Sequence, residues 1–450
     1  MYRCAKCGSS LIFYTQDGNY WCDNCKSLTD VVVSNDDYTQ QFLEAQNREP
    51  FIQSTQGIPV PIAPPVESNY GMSAQQDHGN MYTNAYSNAG YTPHNNAENR
   101  QKTKSDENIR HRLNIYLRRK KGLKYIWNSI LPQGYSFANV VEAVPVTEGL
   151  MNRIFIFKIS AIKKDSSRNE LFKYILRIYG TKDIKKPKFE YEKLSSLRKL
   201  VNIPIPTPYI LETKSKIFEN PFLIESLIPG DTVTSVINYF TPEQSEAFMV
   251  SLAQNLSILH HHRSSKFDPG FSSSKKNFVD FLYDDINNRL EYFRKANLDR
   301  IYHVDVSYFK KWFESHKPLF NIKKYSLIHG DVRPSNILVQ NGKISGFIDW
   351  EFSKTSDPAW DIGWALYFFR MYENLRERRD LFFRVYWAYG EKFDIEARVN
   401  IYETLAAIIM MTYTKSVQMG NPWKFNKQKD FFERVIKSFP HYMDRVKHSD

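Results

Sequence analysis

Hydrophobic residues change their spacing several times along this chain, and each change marks an element. Over residues 108–130 they recur at helical intervals, with Ile109, Leu113, Tyr116 and Leu117 on one stripe, which predicts an amphipathic helix or pair of helices. Residues 144–159 read as strand, turn, strand, with Gly149 in the turn and Asn152 at its end. Residues 173–180 predict the next strand, where alternation puts Arg177 on the face opposite Leu176 and Ile178. Glu190 and Glu192 open a helix with apolar positions at Leu194, Leu197 and Leu200. Pro204-Ile205-Pro206-Thr207-Pro208 ends it, and two strands follow, the second over residues 221–230. Thr241-Pro242-Glu243-Gln244 is a helix start, and that helix runs to His260-His261-His262. Consecutive helical side chains point about 100° apart, so the three histidines cannot all face one ion. Residues 325–328 and 337–339 read as short buried strands, Asn341-Gly342 as a tight turn, and residues 343–348 as the returning strand.

The first hundred residues follow no such period. Residues 31–104 are rich in Asn, Gln, Ser, Tyr, Pro and Gly, too poor in apolar surface to offset the entropy of ordering, and are expected to be a disordered linker. Ile58-Pro59-Val60-Pro61-Ile62-Ala63-Pro64-Pro65 inside it should be locally extended and serve as a spacer. All four cysteines precede it, as two Cys-x-x-Cys knuckles: Cys4 and Cys7, then Cys22 and Cys25. This spacing predicts a structural zinc ribbon over residues 1–30, since two tight turns can close four thiolates into one tetrahedral site. A unit this small depends on the metal for folding. Two disulfides are the alternative, disfavoured because the start lacks the apolar core of a signal peptide. The ribbon could serve a protein or nucleic-acid partner. Its basic and acidic residues balance, which argues against strong phosphate-backbone binding.

Composition sets wider limits. The chain has 450 residues, a net charge of +12 and 15% aromatics. The excess of positive charge lies beyond residue 100, partly in the run Arg118-Arg119-Lys120-Lys121. Such a face attracts an anionic substrate, a nucleic acid or a membrane surface, but a solvated basic helix is the favoured reading of the run. No apolar run is long enough to span a membrane, so no transmembrane segment and a cytoplasmic location are expected.

The chemistry concentrates in Ile328-His329-Gly330-Asp331-Val332-Arg333-Pro334-Ser335-Asn336, followed twelve residues later by Ile348-Asp349-Trp350. Phosphoryl transfer needs a carboxylate to take the acceptor's proton and oxygen ligands to hold Mg²⁺ on the ATP phosphates. Asp331 suits the first role. Asn336, at the far end of the same loop, and Asp349, presented by an apolar hairpin, suit the second. Arg333, two residues past the base, is placed to steady charge developing on the γ-phosphate.

This stretch resembles the aminoglycoside phosphotransferase and choline kinase superfamily, small-molecule kinases of protein-kinase-like fold, and weaker likeness extends over about residues 105–440. The resemblance implies an α+β, bilobal protein-kinase-like domain over residues 105–450, with a small antiparallel β N-lobe over about 105–228 and a mainly helical C-lobe over about 229–450. It implies Asp331 as base and Asn336 and Asp349 as Mg²⁺ ligands. Asp361, in Asp357-Pro358-Ala359-Trp360-Asp361, would buttress the catalytic loop. Gly149-Leu150-Met151-Asn152-Arg153 is similar to the family's phosphate loop. Arg177 replaces the phosphate-gripping lysine of protein kinases, with Glu192 as its expected partner and Glu190 second. Backbone groups near Glu225 and Leu227 would bind the adenine edge. Glu351 and the aromatic residues Trp387, Tyr389, Tyr402 and Tyr413 are candidates for the acceptor pocket.

The expected function is an ATP- and Mg²⁺-dependent kinase acting on a hydroxyl of a small molecule. A protein kinase is the alternative, but Ile348-Asp349-Trp350 replaces Asp-Phe-Gly, and neither Ala-Pro-Glu nor a Gly-x-Gly-x-x-Gly loop is present. A third reading is a binding protein in which ribbon and linker recruit partners and the kinase-like domain senses a ligand. Choline-like amine, sugar, aminoglycoside and amino alcohol all remain open as acceptors.

Overall fold

The computed structural model describes five short strands between residues 2 and 33, and residues 96–120, 127–128, 130–148, 152–166, 168–270, 277–389 and 395–447, with side chains from residue 108 onward. The chain divides into two compact units, Met1–Gly79 and Asn80–Asp450.

In the first unit β1 (Tyr2–Cys4) pairs antiparallel with β5 (Val31–Val33), and β2 (Ile12–Tyr14), β3 (Tyr20–Cys22) and β4 (Ser27–Thr29) form a three-stranded antiparallel sheet. The backbones of Cys4 and Cys22 therefore lie in strands. Their side chains, and all of Cys7 and Cys25, lie outside the described residues. Two elements trespass on the expected linker: β5, and helix α1 (Asn96–Arg119), which starts well before residue 104. Val31-Val32-Val33 continues a β-branched, apolar run, and Asn96–Lys104 lacks a helix-breaking Gly or Pro, so both stretches differ from the composition of the linker's centre.

The second unit opens with a five-stranded antiparallel sheet in the order β6 (Tyr135–Glu148), β7 (Asn152–Lys163), β8 (Asn169–Tyr179), β10 (Phe222–Ser226), β9 (Pro208–Glu212). Alternation sorts its side chains. Phe155, Phe157, Ile159, Tyr174, Leu176, Ile178, Phe222 and Ile224 face a core shared with Ile109, Leu113, Tyr116 and Leu117 of α1. The stripe expected of α1 is thus fully used. The other face carries Ile175, Arg177 and Tyr179 of β8, with Leu223 and Glu225 of β10, where Leu223 pairs with Arg177 and Glu225 with Ile175. Helix α2 (Lys185–Leu200) covers part of this face through Glu190, Leu194 and Leu197, while Leu200, expected on that stripe, is exposed at the helix end.

A helical lobe follows the short strand β11 (Asp231–Thr232). Helix α3 (Pro242–His260) starts with the expected capping box, Thr241 and Gln244 each bonding the other's backbone N–H. After β12 (Arg263–Ser264) come α4 (Phe278–Lys295) and α5 (Val306–Ser315). A cluster of β13 (Tyr325–Ile328), β14 (Ile337–Gln340), β15 (Lys343–Phe347) and β16 (Lys354–Ser356) precedes α6 (Ala359–Arg370), α7 (Arg379–Tyr389), α8 (Glu396–Gly420) and α9 (Lys429–Lys447). Helices α6 and α8 meet at Gly363, where an added Cβ would stand 2.6 Å from Tyr402 Cβ and 2.9 Å from the Val399 carbonyl. This antiparallel-sheet lobe joined to a helical lobe is the expected bilobal α+β architecture. Among the described residues no helix is long and apolar enough to cross a membrane.

Candidate active site

Strand β13, held between β12 and β16, delivers the loop that begins at His329. Gly330 adopts φ +87°, and a Cβ there would meet the Phe352 carbonyl at 2.4 Å, so the turn requires glycine. Asp361 fixes this turn from below. Its Oδ2 accepts the His329 backbone N–H at 2.7 Å and its Oδ1 the Gly330 N–H at 2.8 Å. Asp361 is wholly buried, and the buried His260 reaches it at 3.3 Å through Nε2 while its Nδ1 meets the Tyr386 hydroxyl at 2.9 Å. The first of the three adjacent histidines is therefore a support of the loop, a role that sequence reasoning missed.

His329 ties the loop to the second acid. Its Nδ1 accepts the Asp331 N–H, and its Nε2 donates to the Ile348 carbonyl, one residue before Asp349. From the other end, the Ile348 N–H donates to the Asn336 carbonyl at 2.9 Å. The β14–β15 hairpin closes through Asn341 (φ 50°) and Gly342 (φ +75°), the geometry of a tight two-residue turn. Asp349 itself sits in the left-handed region at φ 68°, which swings its carboxylate out of strand register towards Arg177.

Asp331 is surrounded by donors. Asn336 Nδ2 bonds both its backbone carbonyl, at 3.0 Å, and its Oδ2, at 2.8 Å. Arg333 Nε stands 3.1 Å from Oδ2, and Trp364 Nε1 donates to Oδ1 at 2.9 Å. Burial pushes the Asp331 carboxyl above its ordinary range, opposed by Arg333. Asn336 keeps its amide oxygen away from Asp331, with only the Ser335 hydroxyl on it.

Arg177, buried on β8, faces three carboxylates: Glu190 at 3.3 Å, Glu225 at 3.4 Å and Asp349 at 3.4 Å. The sequence placed Glu192 there. Glu192 is instead exposed, and Glu190 is buried beside Arg177 and also accepts from the Tyr179 hydroxyl at 2.7 Å. The reason is helical phase: residues 190, 194 and 197 share a stripe, whereas 192 lies on the far side. Glu225 supplies its carboxylate to this cluster, a contribution beyond the backbone role expected of it. Burial pushes that carboxyl up to about 7 against the pull of Arg177.

Other expected residues separate. Asn152 Oδ1 accepts the Gly180 N–H at 3.4 Å, and Gly149 lies outside the described residues. Leu227 packs with Ile154 against a small apolar cluster of Val146, Ile156 and Ile175 on the same sheet face as Arg177. Glu351 pairs with Lys186 at the start of α2. The aromatic residues expected in an acceptor pocket do not converge on Asp331. Tyr402 is buried with its hydroxyl on Asp357, Tyr389 meets Gln254 of α3, and Tyr413 takes a bond from Lys424. Trp360 and Trp364 stand by the loop instead, stacked at 5.7 Å, and Trp360 Nε1 donates to the Gly330 carbonyl at 3.0 Å. Asp357 anchors the approach to α6 through Arg398 of α8 at 2.8 Å.

The fit of a metal-bound nucleotide can be judged from these atoms. Among the described residues the buried Arg177 Nε and Glu225 Oε2 have no hydrogen-bond partner. Among the described residues the only bond to the Asp349 carboxylate is Arg177 on Oδ1, and the Asn336 amide oxygen carries only Ser335. Two oxygens of different residues thus remain open beside a guanidinium, with an apolar surface further along the sheet. Hard oxygen donors suit Mg²⁺, and the guanidinium suits phosphate. Among the described residues no group of three or more His, Cys, Asp or Glu could hold a metal ion.

Comparison with known proteins gives three findings. Residues 143–397 match the model of the phosphotransferase enzyme family, known as APH. The chain is 53% identical over 38 residues to the uncharacterized protein YcbJ of Bacillus subtilis strain 168, a match spanning 8% of this chain and only 12% of that protein. Among solved structures, a thermostable mutant of aminoglycoside phosphotransferase APH(4)-Ia in ternary complex with AMP-PNP and hygromycin B is 17% identical, with a TM-score of 0.48 over 69% of this chain and 96% of that one. The GDP complex of a mutant aminoglycoside 2′-phosphotransferase-IIIa is 16% identical, with a TM-score of 0.45 over 72% and 99%.

Proposed function

Because the chain belongs to the phosphotransferase enzyme family, we propose that it is an ATP- and Mg²⁺-dependent kinase that phosphorylates a hydroxyl group of a small molecule. The observation that carries this reading is the arrangement of Asp331, Asn336 and Asp349 on one loop and hairpin, with Arg177 against Asp349. Asp331 takes the proton of the acceptor hydroxyl as that oxygen bonds to the γ-phosphorus and the bond to the β-phosphate oxygen breaks, releasing ADP. Burial raises its basicity above that of an exposed carboxylate, opposed by Arg333 and by the Trp364 hydrogen bond. Asn336 and Asp349 hold the metal, which when bound neutralises charge on the phosphates. Arg177 grips phosphate oxygens, oriented by Glu190 rather than Glu192. Arg333 steadies charge on the transferred group once it leaves Asp331. Leu227 and the Val146, Ile156 and Ile175 cluster support an adenine-binding role for that end of the sheet.

Cys4, Cys7, Cys22 and Cys25 complete the reading as ligands of one structural zinc in a ribbon that engages a protein or nucleic-acid partner. Metal analysis of the purified full chain should then find one zinc per molecule, lost in Cys22→Ser. The test of the catalytic reading is Mg²⁺-dependent transfer from ATP to a panel of aminoglycosides, amino alcohols, sugars and a generic protein, with Asp331→Asn as control. Transfer to one small molecule, abolished in the variant, is the expected result. Labelling of protein alone, or full activity in Asp331→Asn, would overturn it.

A further inference from the structure

Helical spacing places residue 364 on the same face of α6 as Asp361, one turn further on. Asp361 grips the backbone of the catalytic loop, and Trp364 reaches the side chain at its end. The indole Nε1 lies 2.9 Å from Asp331 Oδ1, and the whole residue is 8% exposed. It is the partner of that oxygen, while Asn336 and Arg333 both address Oδ2. The indole is itself immobilised. It stacks on Trp360 with an interplanar angle of 11° and meets Phe368 edge-on at 5.4 Å. Trp360 is pinned in turn by its bond to the Gly330 carbonyl and an edge contact with Tyr402. Two stacked indoles therefore donate to two successive residues of the loop, 330 and 331.

We propose that Trp364 is a positioning residue for the catalytic base: its N–H holds the Asp331 carboxylate by Oδ1, so that the plane of the carboxylate is fixed before the acceptor arrives. The inference rests on Asp331 being the base. A carboxylate on a single Cα–Cβ stem turns about χ2 with little resistance. With donors on both oxygens, from α6 on one side and from the loop on the other, that rotation is stopped and the uncommitted lone pairs face one direction. Orientation of the reacting group is where a large share of catalytic advantage originates. A phenylalanine at 364 would keep the packing but leave Oδ1 to turn. Tryptophan is used here for its donor as well as its bulk.

The charged and titratable groups facing Asp331 are Arg333 and His329 on its own loop and Asp349 beyond the hairpin; Trp364 is the donor from α6. The experiment measures phosphotransfer by the full chain to the acceptor found in the panel above, comparing wild type with Trp364→Phe and with a chain carrying benzothienylalanine at 364, which keeps the indole's shape and replaces N–H by sulfur, and records the thermal unfolding of each. Loss of the donor should lower kcat about tenfold in both variants, at a KM for ATP unchanged within about twofold and with Tm preserved in the benzothienyl chain. An unchanged kcat in the benzothienyl variant, with transfer abolished by Asp331→Asn, would overturn this inference and leave the proposed function standing. Transfer that survives Asp331→Asn would remove the base assignment and this inference together.

Discussion

Replacing Asp361 by asparagine tests the support of the catalytic loop with almost no change of volume. The wild-type carboxylate accepts two backbone N–H groups, from His329 at 2.7 Å and Gly330 at 2.8 Å, and a longer contact from His260 at 3.3 Å. An asparagine has one oxygen, so one backbone N–H keeps an acceptor and the other faces an amide NH₂. The lost charge-assisted bond is worth about 1.5–3 kcal/mol, and the stranded buried donor costs about 1–3 kcal/mol more. Removing a fully buried negative charge relieves a desolvation penalty, which offsets part of this. A net loss of about 3 kcal/mol follows. For a unit of roughly 350 residues, with an unfolding entropy of about 2.1 cal/mol/K per residue, this lowers Tm by about 4 °C. The assay is urea and thermal unfolding of the two proteins side by side, with phosphotransfer measured on the folded fraction. Since the stranded N–H belongs to the residues before Asp331, kcat should fall by at least about tenfold while KM for ATP changes little. Stability within about 0.5 kcal/mol of wild type, together with an unchanged kcat, would refute the idea that Asp361 holds the loop.

Two more predictions follow from the same kind of accounting. Burial raises the Glu225 carboxyl from its usual range to about 7, so it favours the folded state most fully at pH below about 4.5 and loses that contribution as pH rises towards 7. Glu225→Gln should therefore gain stability relative to wild type across that window, on the order of 3 kcal/mol, in urea unfolding at pH 4 and pH 8; a constant difference between the two proteins would count against it. Gly363→Ala would drive a methyl group into Tyr402 and the Val399 carbonyl where α6 crosses α8, and should cost about 1–3 kcal/mol, read as a lowered Tm; an unchanged Tm would mean the two helices separate without cost.

Much of the architecture was legible because strong periodicity met strong punctuation. The stripe of Ile109, Leu113, Tyr116 and Leu117, the capping box at Thr241 and the Asn341-Gly342 hairpin all appear where local chemistry demands them. The proposed catalytic loop stood out for a different reason: its residue types suit phosphoryl transfer at fixed spacing on a short segment, and the structure brings Asp331 and Asn336 into contact. What escaped came from contacts distant in sequence. His260 meets Asp361 across 101 positions and Trp364 meets Asp331 across 33, and no local pattern announces either. Glu225 looked like one acid in an apolar strand; only the pairing of β10 with β8 brings it to Arg177. The choice of Glu192 over Glu190 is a different kind of miss, since the sequence held the answer. Residues 194 and 197 define the buried stripe, and counting back by one turn reaches 190.

The cluster at Arg177 shows why arginine, rather than lysine, stands on β8. Three carboxylates approach it from three elements: Glu190 on α2, Glu225 on β10 and Asp349 after the hairpin. A lysine offers one point charge at the end of a flexible stem. A guanidinium presents five donors in a plane and can address separate acids through separate nitrogens. Nη1 lies towards Glu190 and Asp349 and Nη2 towards Glu225, which leaves the buried Nε without a partner among the described residues. Three acids around one cation leave negative charge in excess. Part of that excess is eased at Glu225, whose carboxyl burial and the neighbouring acids push upward against the pull of Arg177. The rest is relieved if Asp349 is shared with a divalent cation, the role proposed for it. On this argument Arg177 and Asp349 are not independent parts. The pair couples the sheet to the hairpin, and a divalent cation held by Asp349 and Asn336 would supply the positive charge that three acids around one guanidinium call for.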